Sequence, residues 1–170
     1  MSLLKSALLP SFISFLERHG LIRREDLMRE DERGFLSRLK LQKLVFLARY
    51  FGLDMGYSFS LYIHGPYSPD LARDYYSLAA APPAEGPVNL PGAFRREEFL
   101  SFVSAPGRDE EWLEAAATAA DLAEVWSLEG EGSVRELTEH LKKMKPHVAR
   151  HAEGAVRETL KIVGAGARAK

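Results

Sequence analysis

The chain holds no cysteine in its 170 residues, so disulfides, thiolate catalysis and cysteine-ligated zinc are excluded. It has no apolar run of the length a membrane-spanning helix needs. It lacks a dominant charge as well, with 23 Lys and Arg against 24 Asp and Glu and a net charge of -1. Only a local patch can therefore speak for nucleic acid. There is no glycine-rich phosphate loop, since "GAGA" falls at the C-terminal end, and no motif singles out a nucleophilic serine. The opening "MSLLKSALLPSFISFLERHG" has a leader-like apolar run, but Pro10 interrupts it and Glu17 and Arg18 follow directly. The expected location is cytoplasmic.

What is present reads as one mainly α, compact helical domain over residues 1–170, with a short strand or β-hairpin element around residues 57–64. Leu9, Phe12, Ile13 and Leu16 recur at helical spacing until Gly20, with Pro10 suited to a first turn. "RREDLMREDER", residues 23–33, reads as a solvated turn or short surface helix. Leu41, Leu44, Val45, Ala48 and Phe51 then stripe a helix apolar enough to be central. Its cations Arg38, Lys40, Lys43 and Arg49 are read as snorkelling to water in preference to forming a binding face.

Tyr57, Phe59, Leu61 and Ile63 alternate with polar neighbours as in a half-buried strand. Gly65-Pro66 breaks the pattern, and Ser68, Pro69 and Asp70 supply an N-cap, a first-turn proline and an acid suited to the helix dipole. The segment therefore reads as a strand swung directly into a helix, with Gly65 a candidate for positive φ. Residues 82–93 hold four prolines and two glycines, a loop that could mark a subdomain boundary. Beyond it Trp112, Ala116, Ala119, Ala120, Ala123 and Trp126 form a small-residue seam for a close helix neighbour, ended by Gly130 and Gly132. Ser133 and Glu136 read as a capping box, Pro146 as the start of the last helix, and "GAGARAK" as a frayed tail.

Two constellations bear on function. His147 and His151 stand four residues apart, but "HVARH" lacks the zinc-protease glutamate and no third ligand is evident, so no metal or other cofactor is expected. "SVRELTEHLKKMKPHVARH" pairs two helices across a short turn, with Lys142, Lys143, Lys145, His147 and Arg150 around it. That arrangement suits a DNA-binding helix-turn-helix, while an ordinary helical hairpin is the more economical reading because Ala152, Gly154 and Ala155 occupy the second helix.

The segment from Leu39 to Leu78 resembles the YwgA-type proteins of bacteria and archaea and, more distantly, the Panacea antitoxin domain. The matching positions are Leu41, Gln42, Lys43 and Leu44 on the helix and Gly65, Pro66, Tyr67, Ser68, Leu71 and Asp74 at the turn, with His64 where the families usually have tyrosine. The resemblance implies a mostly helical fold with a small strand element and no established enzyme activity. Because Panacea domains neutralise toxins by binding them, it also implies a protein-binding role. The resulting expectation is a non-catalytic regulatory protein with a protein partner, a toxin in the antitoxin-like version. Its patch is Lys40, Lys43, Tyr62, His64, Gly65, Pro66 and Tyr67. DNA binding through residues 133–160 is the alternative; homo-oligomerisation stays open.

Overall fold

The computed structural model describes residues 5–80, 88–126 and 131–168. The chain is mainly α: the described residues form seven α-helices and one two-stranded antiparallel hairpin. Helix α1 (Leu9–Arg18) buries Phe12, Ile13, Phe15 and Leu16, and Gly20 closes it at a φ of 70°. The charged stretch that follows is less solvated than its composition predicts. It forms a 3-10 turn, Arg24–Met28, in which Arg24, Asp26 and Leu27 are buried. Arg24 reaches Ser14 Oγ with its guanidinium and Glu17 with its backbone N–H, while Asp26 accepts from Arg33, so the buried charges are paired.

Helix α2 (Glu32–Ala48) is capped by Asp31, whose carboxylate accepts from Gly34 N–H. Every residue from Leu41 to Ala48 is buried, including Gln42 and Lys43. This is the central helix that the apolar stripe predicts, but Lys43 does not snorkel to water.

Strand β1 (Ser60–Tyr62) and strand β2 (Gly65–Tyr67) pair antiparallel, with Tyr62 opposite Gly65 and Ser60 opposite Tyr67. Gly65 and Pro66 therefore form the returning strand, and the turn lies at Ile63 and His64. The half-buried alternation does not hold either. Tyr57 is buried and Phe59 half-buried, whereas Leu61 is 38% and Ile63 81% exposed. The segment leaves the core as it runs, and a two-stranded ribbon has no continuous core beneath it to impose a period of two.

Helix α3 (Pro69–Ala80) starts as the sequence predicts, with Ser68 Oγ accepting from Leu71 N–H. The proline-rich loop lies in part outside the described residues; its end, at Leu90, is buried. Helix α4 (Arg96–Ser104) leads to α5 (Glu110–Trp126), which is buried without a break from Trp112 to Ala120. Helix α6 (Glu131–Met144) begins two residues ahead of Ser133, so Gly132 and Ser133 lie inside it and do not punctuate it. Gly130 lies outside the described residues.

A 3-10 turn, Pro146–His151, separates α6 from α7 (Ala152–Arg168), which stays helical past Gly164 where a tail is predicted. The alanine seam does what small side chains allow: α7 lies along α5, and α2 and β2 also pack on α5. Trp126 is the exception, 41% exposed and in edge contact with His140. One cluster of buried side chains runs from Leu9 in α1 to Val156 in α7. Among the described residues no helix is long and apolar enough to cross a membrane.

Candidate functional site

The hairpin is too short to hold itself, and the core holds it by polar contacts. Gln42, fully buried on α2, pairs with both backbone groups of Ser68: its amide donates to the carbonyl at 2.9 Å and its oxygen accepts the N–H at 2.9 Å. Lys43 Nζ donates to Pro66 O at 2.8 Å. Lys145, 3% exposed at the end of α6, donates to Ile63 O. Three side chains from two regions distant in sequence thus pin the short ribbon and the start of α3. Gly65 adopts a φ of 94°, and a Cβ there would stand 2.8 Å from Thr118 Oγ1 and 3.2 Å from Lys43 Cε.

Beside the turn a lysine and two histidines surround one carboxylate. Glu114, on the buried run of α5, is 7% exposed. Lys145 Nζ donates to its Oε1 at 3.3 Å, His147 Nε2 lies 2.9 Å from Oε2, and His64 Nδ1 lies 3.6 Å from Oε1. Phe35 packs edge-on against the His64 ring at 5.5 Å. Phe35, His64, Glu114 and His147 border a cavity of about 150 Å³, also lined by Leu36, Leu39, Lys40 and Lys43. Burial pushes the Lys43 ammonium down to about 7; Glu114 opposes that shift and Lys145 adds to it.

The residues singled out by sequence divide sharply. Tyr62 is 53% exposed and meets the half-buried Tyr67 in a T-shaped contact at 5.5 Å. His64 is half-exposed, and Lys40 sits at the cavity edge. Lys43, Gly65 and Pro66 are buried; Gly65 and Pro66 are the returning strand itself, and Lys43 holds it from beneath. Leu61 and Ile63, read as strand core, take their place on the outside.

The basic set near the C-terminus is dispersed in the same way. Lys142 and Lys143 are exposed. Lys145 turns inward to Glu114, His147 meets the same carboxylate from an exposed position, and Arg150 meets both Asp109 and Glu111 at 3.0 Å. Ala152 and Ala155, on the helix that a DNA reader would present, are buried. The His147–His151 pair also parts: His151 Nε2 lies 3.1 Å from Asp109 Oδ1, and His147 faces Glu114 and His64.

Sequence reasoning missed Glu114 and the inward turn of Lys145, and named Gln42 only as a position of the family resemblance, not for its hold on Ser68. Glu114 did leave a signal, as the one acid between Trp112 and Ala120 in a seam otherwise of small and apolar residues. Asp74, matched in the family resemblance, is buried and accepts from Tyr57 Oη at 2.6 Å and Lys5 N at 2.8 Å, so it ties α3 to the segment before the hairpin. The chain matches no known family model, no curated protein and no solved structure.

Proposed function

We propose that this is a non-catalytic regulatory protein that binds a protein partner, in the manner of an antitoxin, through the tip of its hairpin. The observation that carries the reading is the contrast between the two sides of that ribbon. Its inner side is fixed by Gln42, Lys43 and Lys145, all buried. Its outer side offers Leu61, Tyr62 and Ile63, respectively 38%, 53% and 81% exposed, with Phe35 in contact with His64 behind them. Aromatic and aliphatic side chains held on a rigid support lose little freedom on binding, which makes such a tip suited to an interface centre. The likeness of Leu41–Leu44 and Gly65–Asp74 to toxin-binding domains points the same way. A DNA-binding reading has less support, because Lys145, His147 and Arg150 face acids of this chain.

A photoreactive residue at position 63 in the native host would trap the partner, and its affinity would then be measured on purified proteins. The double variant Tyr62→Ala, Ile63→Ser should keep its thermal melt and bind at least tenfold more weakly, a loss of about 1.4 kcal/mol or more. Equal affinity of a folded double variant overturns the reading. So does a crosslink that joins only copies of this chain, which would assign the tip to self-association.

A further inference from the structure

We propose that His64, Glu114 and His147 bind a divalent cation of the zinc class. The three residues come from the hairpin turn, the second turn of α5 and the 3-10 turn before α7, and their ligand atoms all lie within 4.8 Å of one another. Metal–nitrogen and metal–oxygen bonds of about 2.1 Å place neighbouring ligand atoms roughly 3.0–3.5 Å apart. His147 Nε2 lies 2.9 Å from Glu114 Oε2, close to that spacing, and His64 Nδ1 lies 3.6 Å from the other carboxylate oxygen.

The surroundings favour such an ion. A buried carboxylate on an alanine-rich helix needs positive company, which Lys145 supplies at Oε1 and a cation would supply at Oε2. Lys145 holds the Oε1 side of that carboxylate and leaves Oε2 turned to His147. A hydrogen bond of this kind, from outside the ligand set, fixes a metal carboxylate's orientation. Phe35 fixes the His64 ring from its other side. Two imidazoles and one carboxylate select zinc, cobalt or nickel over calcium and magnesium, which demand oxygen. Three protein ligands leave a coordination position free, and the adjoining cavity of about 150 Å³ has room for water or a small anion there. His151 takes no part, since it faces Asp109. The bound ion would staple the hairpin turn to α5 and to the start of α7.

The inference does not depend on the partner reading, and its test uses the protein alone. Zinc chloride is titrated calorimetrically into the chelator-treated full chain, and cobalt chloride is followed by visible absorption. The wild type should take up one equivalent of each, show cobalt d–d bands and melt at a higher temperature with zinc. His64→Ala, Glu114→Gln and His147→Ala should each weaken uptake by at least tenfold, while His140→Ala and His151→Ala should not. If Glu114→Gln unfolds, His64→Ala on the half-exposed turn decides, because its own melt without metal should match the wild type. The assignment is overturned by no uptake in the wild type at millimolar zinc. It is equally overturned by undiminished uptake in His64→Ala and His147→Ala, or by equal loss in His151→Ala. Failure here leaves the partner reading intact, and loss of partner binding with zinc uptake retained leaves this site intact.

Discussion

Lys43 brings an amine into the core to satisfy one carbonyl, that of Pro66. Burial lowers its proton affinity from the usual 10.5 to about 7. Below pH 7 both the folded and the unfolded chain hold this proton, and the folded state bears the cost of an enclosed ammonium. Between pH 7 and 10.5 the unfolded chain binds a proton that the folded chain has released, so stability rises with pH across that window. One such proton contributes at most about 1.4 kcal/mol per pH unit. Above pH 10 the direction reverses, because Tyr50, Tyr57 and Tyr75 keep their protons in the folded state, chiefly through burial. Urea unfolding of wild type and Lys43→Met at several pH values from 7 to 10 should therefore show a shallower slope in the variant. Parallel slopes would mean that Lys43 stays charged in the folded protein.

At the scale of the element, the hairpin and α3 are joined by two residues with separable duties. Gly65 supplies a positive φ and a missing Cβ; Ser68 supplies a cap. Gly65→Val forces a β-branched side chain into the left-handed region and against Thr118 and Lys43, so it should lower stability by more than about 1 kcal/mol. Ser68→Ala removes one hydrogen bond to Leu71 N–H and should cost about 1 kcal/mol, while Gln42 still holds the Ser68 backbone. Paired thermal melts check both. An unchanged melt for Gly65→Val would show that the positive φ and close approach at Gly65 are not geometrically required.

For the molecule as a whole, α5 is the spine on which α2, β2 and α7 meet. Its alanines set how close those neighbours come, and Ala116 O even accepts from Thr159 Oγ1 on α7 at 3.4 Å. Ala116→Leu should overpack the α5–α7 contact and cost about 1–3 kcal/mol, visible as a lower urea midpoint with the slope retained. A midpoint equal to the wild type's would show slack between the two helices.

Much of this was written locally. The helical stripes, the Ser68 cap with Pro69 and Asp70 behind it, the positive φ of Gly65 and the alanine seam of α5 follow from backbone preferences and side-chain size, which act over a few residues. The destinations of the charged side chains were not legible. Lys43, Lys145 and Arg24 look in sequence like the exposed Lys142 and Lys143, and only the fold brings carbonyls and carboxylates to meet the first three. The same holds for His64, Glu114 and His147, separated by 50 and 33 positions. A buried charge is tolerable only where tertiary contact supplies its partner, so local sequence determined the elements of this protein and tertiary structure alone decided its site.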